Sequence, residues 1–222
     1  MNPDPFTGLR QQMVAVIAAE TVFLTGELGR AALNARVLAV MSEVPRHEFV
    51  PVEIRAYAYA NTPLPIGCNK TISQPFIVAL MTDLLELRPE DRVLEIGTGL
   101  GYQAAILSRL VKKVYSVEII DELQGQAKRR LAGQGCSNVE LRLGNGFHGW
   151  PEHGPFDRII VTAGTDLVPP PLLYQLKPGG RMVIPTGLPD GQKLVLVEKD
   201  AAGRIKATEG LRVRFSLLEG TE

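Results

Sequence analysis

The sequence predicts an α/β fold: a doubly wound, mostly parallel sheet preceded by a layer of helices. Three observations carry this expectation. Short apolar runs alternate with helical patterns from Ile77 onward, a glycine-rich turn joins one of those runs to a helix, and residues 9–43 keep a helical apolar period without any strand pattern. The change of character divides the chain into N-terminal helices with a substrate-facing lid segment at residues 1–78 and a Rossmann-like core at residues 79–222, packed as one compact unit.

In the N-terminal part, Val14, Ile17 and Ala18, and then Leu33, Val37, Val40 and Met41, recur at helical spacing, with Thr25-Gly26 as the interruption. Pro45, Pro51, Pro63, Pro65 and Pro75 then break up a stretch that cannot be one regular element, because each ring fixes φ and removes an amide donor. Phe49, Tyr57, Tyr59 and Ile66 in this stretch argue for an ordered lid over an active site. A helix over Ile77 to Leu87 leads into the core. There the pattern reads strand Arg92–Ile96, helix Tyr102–Leu110, strand Val114–Val117, helix Asp121–Ala132 and strand Val139–Leu143. Strand Phe156–Val161, helix Pro170–Leu176 and strand Arg181–Ile184 follow, and such alternation places helices on both faces of a parallel sheet. Lys193 to Glu198 and Leu211 to Leu217 close the chain as two β segments that include an antiparallel edge pair.

Composition narrows the function classes. At 222 residues and 45% apolar composition the chain can bury a sizeable core, and its 24 Lys and Arg balance 24 Asp and Glu. Without a net field or a basic run, neither nucleic acid nor an anionic membrane is an expected partner. Cys68 and Cys136 have neither zinc-site spacing nor the density of a disulfide framework, which fits a reducing cytoplasmic setting. The first residues, MNPDPFTGLRQQMVAVIAAE, lack a basic leader, and Gln12 and Glu20 interrupt their apolar positions, so neither a signal peptide nor a membrane span is expected. His47, His148 and His153 lack metal-ligand spacing, and no metal site is expected.

The motif that carries chemistry is VLEIGTGLGYQAA, Val93 to Ala105, a strand, a glycine turn and a helix start in the order of a first ligand loop. Gly97, Gly99 and Gly101 clear side chains from a backbone that must turn tightly beside a ligand, with Thr98 among them. Dinucleotide enzymes favour G-x-G-x-x-G, whereas here Glu95 stands in an E-x-G-x-G-x-G pattern. A carboxylate there repels a pyrophosphate and welcomes an ammonium or sulfonium group. About 20 residues on, Glu118 closes the second strand, where it can accept hydrogen bonds from both ribose hydroxyls or cap the helix beginning at Asp121. Both features match the class I methyltransferase fold and its cofactor, S-adenosylmethionine. Asn145 and Gly146, after the third strand, fall where such enzymes often hold the adenine amino group.

With these motifs in view, the chain resembles the protein-L-isoaspartate O-methyltransferase family over nearly its whole length. PRHEFVP (Pro45 to Pro51), AYAYANTPLPIG (Ala56 to Gly67), TISQP (Thr71 to Pro75), PFDRIIVTAG (Pro155 to Gly164) and QLKPGGRMVIPTG (Gln175 to Gly187) carry the resemblance. It implies methyl transfer from S-adenosylmethionine to the free carboxylate of isoaspartyl residues in damaged proteins, with Ser73 as the active-site residue. Thr71, Ile72 and Gln74, with Pro65 and Ile66, would then shape the pocket where methyl and carboxylate meet. The resulting ester closes to a succinimide whose hydrolysis returns some normal aspartate. Two departures bear on substrate preference: Gly67-Cys68-Asn69-Lys70 replaces the family's G-x-G-Q, and Phe215-Ser216-Leu217-Leu218 replaces its F-V-P-L. Two other functions stay open at this point. One is methylation of an aspartate in a dedicated peptide or partner protein, and the other is a cofactor-binding protein with weakened catalysis. Hydrolase chemistry at Ser73 lacks a G-x-S-x-G elbow.

Overall fold

A computed structural model of the chain describes residues 4–220. The terminal residues 1–3 and 221–222 of the two expected units lie outside the described residues. Helix α1 (Thr7–Phe23) buries Met13 and Ile17 on one face, a short α2 (Thr25–Leu28) follows the interruption, and α3 (Ala35–Glu43) begins where the Asn34 side chain accepts from the Arg36 amide. The proline-punctuated stretch folds as 3₁₀ turns at Arg46–Phe49 and Val52–Tyr57, then as a hairpin of β1 (Leu64–Gly67) and β2 (Lys70–Ile72). Cys68 and Asn69 form its turn with φ of 49° and 55°. That is the left-handed geometry which matches strand twist in a two-residue hairpin. Helix α4 (Pro75–Leu84) starts two residues earlier than the apolar period indicates, because Pro75 at the first turn needs no amide partner.

The core alternates as expected: β3 (Arg92–Ile96), α5 (Tyr102–Ser108), β4 (Lys113–Glu118), α6 (Asp121–Gly133), β5 (Val139–Leu143), β6 (Phe156–Val161) and α7 (Pro170–Tyr174). β7 (Leu176–Thr186), β8 (Lys193–Lys199) and β9 (Ile205–Arg212) complete one seven-stranded sheet in the order β5-β4-β3-β6-β7-β8-β9. The first five strands of that order run parallel, and β8 and β9 join antiparallel. This is the architecture of a class I S-adenosylmethionine-dependent methyltransferase. Pleating divides the interior in two. Val93, Val114, Ile160 and Val183 face a core shared with the N-terminal helices, α4, α5 and α6, whereas Leu94, Ile96, Val117, Ile159 and Ile184 face a second core closed by Trp150, Phe156 and Leu172.

The last strand departs from the expected Leu211–Leu217. β9 is an edge strand exposed along almost its whole length, so no apolar alternation marks it. The apolar residues beyond it serve another purpose: the Phe215 amide donates to Gln192 Oε1 at 2.6 Å, Gln192 Nε2 donates to the Phe215 carbonyl, and Gly164 pairs with both Ser216 O and the Leu218 amide. Residues 213–218 are thus strapped along the carboxyl ends of the strands. No helix among the described residues is long and apolar enough to cross a membrane.

Candidate active site

Strand order reverses between β3 and its two neighbours β4 and β6, and a cavity of about 460 Å³ opens at the carboxyl ends of all three. Ile96 and Gly97 follow from β3, Val117 and Glu118 from β4, and Thr162 and Ala163 from β6. The hairpin residues Ile66, Lys70, Thr71, Ile72, Ser73 and Gln74 form another wall, and the strap from Arg212 to Glu219 a third. An ion pair between Lys70 and Glu219 ties hairpin to strap.

The glycine loop is built for close approach. Gly97, Gly99 and Gly101 have φ of 93°, 57° and 96°, and a Cβ on Gly97 would lie 2.5 Å from Thr162 Oγ1. A Cβ on Gly99 would stand 3.3 Å from Ile66 Cδ1, so the hairpin rests directly on the loop. Gly101 packs under Leu131. Glu118 joins the two ligand turns: Oε2 accepts from the Gly99 amide at 2.8 Å, while Oε1 accepts from Ile119 and Ile120 at 2.9 and 3.0 Å. None of these donors belongs to α6, which has no side-chain cap, so Glu118 does not cap that helix; a carboxylate has about four acceptor positions, and three are used here.

Other expected residues sit differently. Glu95 does not line the cavity: it is fully buried on the strand beneath the loop, where the Ser116 hydroxyl donates to its Oε2. The Thr98 and Ser116 hydroxyls lie 2.6 Å apart, which links Glu95 to the loop through two side chains rather than by contact. Burial pushes its carboxyl up to about 8, so Glu95 is mostly protonated at neutral pH, not the bare anion its position in the sequence suggests. Asn145 spends its oxygen on the Phe147 amide and its NH₂ on the Gly220 carbonyl, while Gly146 beside it does line the cavity. Pro65 points to solvent, and Gly101 stays under α6.

Ser73 is held from behind. Arg46, wholly buried, donates from Nε to the Ala58 carbonyl at 2.8 Å and from Nη2 to the Ser73 carbonyl at 2.6 Å, with its guanidinium 4.8 Å from the Tyr102 ring centre. Burial lowers its pKa to about 10, which leaves it cationic at neutral pH. One wall of the cavity is thereby tied to the helix that follows the glycine loop. The Ser73 hydroxyl makes no hydrogen bond to another described residue and remains available to a ligand.

The family profile described as protein-L-isoaspartate(D-aspartate) O-methyltransferase matches residues 22–222 of this chain. The chain belongs to this family. A relative from Polaromonas sp. named protein-L-isoaspartate O-methyltransferase 1 is 62% identical over 222 residues, covering 100% of this chain and 94% of the relative. A relative from Syntrophobacter fumaroxidans named protein-L-isoaspartate O-methyltransferase 2 is 54% identical, covering 98% and 88%. A solved protein-L-isoaspartate O-methyltransferase superposes with a TM-score of 0.81 at 31% identity over 95% of this chain, which spans 66% of that longer chain. A candidate β-aspartate methyltransferase from Plasmodium falciparum, solved with S-adenosyl-L-homocysteine, shares the fold with a TM-score of 0.74 at 22% identity, over 91% of this chain and 96% of that one.

Within this member of the family, sequence reasoning passed over Thr162, Arg46 and Gln192. Thr162 donates its amide to the Ile96 carbonyl and its hydroxyl to the Gly97 carbonyl, and was findable, since ligand sites gather at the carboxyl ends of parallel strands. Arg46 lies in a motif singled out only for its resemblance, and an isolated arginine carries no signal of burial. Gln192, 1% exposed just before β8, gives none either.

Proposed function

We propose that the protein transfers a methyl group from S-adenosylmethionine to the free carboxylate of L-isoaspartyl residues in damaged proteins and peptides, in the cytoplasm. The observation that carries the reading is a single cavity bounded by the glycine loop, Glu118 and Ser73 in a member of this family. The residues fit the cofactor: the glycine turn leaves room where a Cβ would collide, Glu118 keeps acceptor capacity for ribose hydroxyls, and Ile96, Val117, Ile119 and Leu123 offer an apolar wall for a purine. In this assignment Gly97, Thr98 and Gly99 shape the cofactor cradle, Gly101 lets its backbone turn against α6, and Gly146 and Asn145 close it beside the strap. Glu95 supports the cradle from below.

The bound cofactor supplies an electrophilic methyl group on a sulfonium. The acceptor carboxylate is ionised at neutral pH, so the protein needs neither a strong base nor a serine nucleophile. Its task is alignment, which can supply roughly 7–11 kcal/mol of the barrier. Ser73 donates its hydroxyl to one carboxylate oxygen and leaves the other aimed at the methyl group. Thr71, Ile72 and Gln74 shape the acceptor pocket with Ile66, and Arg46 fixes the Ser73 backbone. Residues 1–78 in this account provide the acceptor wall, and residues 79–222 the cofactor core.

Paired variants test the division of labour. Ser73→Ala lowers kcat at least tenfold with cofactor Kd within twofold of wild type, whereas Glu118→Ala raises cofactor Kd at least tenfold. The exchanged pattern would mean the two roles have been assigned to the wrong residues.

A further inference from the structure

We infer that Arg212 and Arg214 form an anion-recognition edge on the acceptor side of the cavity, which makes the protein prefer isoaspartyl sites flanked by acidic residues. The inference rests on the methyl-transfer reading and deepens it by naming the class of peptide.

The charged groups lining the cavity are Lys70, Glu118, Arg212, Arg214 and Glu219. Lys70 and Glu219 neutralise each other across the mouth, and Glu118 is committed to three backbone amides. Nearby Glu20 is held by the Asn61 and Gln74 side-chain amides. Arg212 and Arg214 are exposed, and neither forms an ion pair or a side-chain hydrogen bond with any other described residue. The two guanidinium groups outweigh the one remaining carboxylate, Glu118, so the lining carries one net positive charge, and its cations without a carboxylate partner are these two arginines.

Their mounting matters as much as their charge. Burial alternates along exposed Arg212, half-buried Val213, exposed Arg214 and half-buried Phe215, the pattern of extended backbone that sets both arginines on one side. The Val213 amide donates to the Gln192 carbonyl, and Phe215 is bonded in both directions to the buried Gln192 side chain. The arginines therefore stand on a fixed strap and not on a mobile tail. Residues two apart in extended chain repeat at roughly 6.6 Å, the repeat of alternate side chains in an extended peptide, so two carboxylates on such a peptide meet two guanidinium groups in register. Arginine's planar fork binds a carboxylate with two parallel hydrogen bonds, which a lysine cannot do.

The test compares two synthetic isoaspartyl peptides of one sequence, with glutamate or with glutamine on both sides of the isoaspartyl residue, assayed for methyl transfer in 20 mM and 200 mM salt. Wild type should favour the glutamate peptide at least fivefold in kcat/KM, and the preference should shrink at the higher salt. The double variant Arg212→Gln/Arg214→Gln should bring the ratio to about one. Arg212→Glu/Arg214→Glu should reverse it toward a lysine-flanked peptide, which a purely structural role for these residues would not do. Methylation of both peptides by wild type at equal kcat/KM overturns the inference alone. So does a preference that survives the double glutamine change. Methylation of neither peptide overturns the methyl-transfer reading and this inference with it.

Discussion

Replacing Arg46 by methionine isolates the tether behind Ser73. The change removes the donors to the Ala58 and Ser73 carbonyls and the cation over Tyr102. Ala58 is fully buried, so its carbonyl loses its donor where water cannot replace it, at about 1–3 kcal/mol. Ser73 is half-buried, and water can recover part of its loss. The lost cation–π contact adds up to about 2 kcal/mol at a desolvated site. Against these stands relief from burying a charge whose Nη1 has no partner, a penalty of several kcal/mol in its own right. The opposing terms are of similar size and leave stability within about 2 kcal/mol of wild type, or roughly 4–8 °C in Tm for a chain of this length. The functional loss should exceed what stability explains: at 20 °C below the variant's Tm, kcat falls at least tenfold while cofactor Kd stays within twofold, because the glycine loop is untouched. Counting competent sites by S-adenosyl-L-homocysteine binding separates slow turnover from a smaller folded fraction. Arg46→Lys keeps the charge but reaches only one carbonyl, and should recover part of kcat. A methionine variant with wild-type kcat per competent site would refute the tether.

Glu95 gives a pH prediction. Burial lifts its carboxyl from 4.5 to about 8, so its contribution to stability is complete below pH 4.5 and is lost as pH rises through about 8, on a scale of about 5 kcal/mol at most. Glu95→Gln should therefore gain stability relative to wild type as pH rises from 5 to 9 in thermal unfolding scans, and parallel profiles would contradict the protonated assignment. Gly97→Ala meets both a φ of 93° and Thr162 Oγ1 at 2.5 Å, and should weaken cofactor binding at least tenfold in titration calorimetry. Gly146→Ala drives a methyl group into Ile96, which is wholly buried and cannot yield, and should cost about 1–3 kcal/mol in denaturant unfolding.

The parallel core was legible because strands buried on both faces are nearly continuous apolar runs, as in Val93–Ile96 and Ile159–Val161, and because Gly97, Gly99 and Gly101 mark the turn between strand and helix. The hairpin was not, since a Cys-Asn turn lacks the glycine that usually announces left-handed geometry, and Pro65 obscures a strand of four residues. β9 was hidden by its exposure, and the apolar tail after it read as strand although it is a strap held by Gln192 and Gly164. Glu95 shows the limit of motif reading: position in a pattern fixes which strand a carboxylate occupies, while the face it points to and its protonation depend on Ser116 and on the helices packed above.

The most direct test supplies the protein with S-adenosylmethionine carrying a labelled methyl group and two peptides that differ only in containing an isoaspartyl or an aspartyl residue. The account predicts base-labile label on the isoaspartyl peptide at least a hundredfold above the aspartyl one, and loss of most of that signal in Ser73→Ala. Equal labelling of both peptides, or of neither, would contradict it.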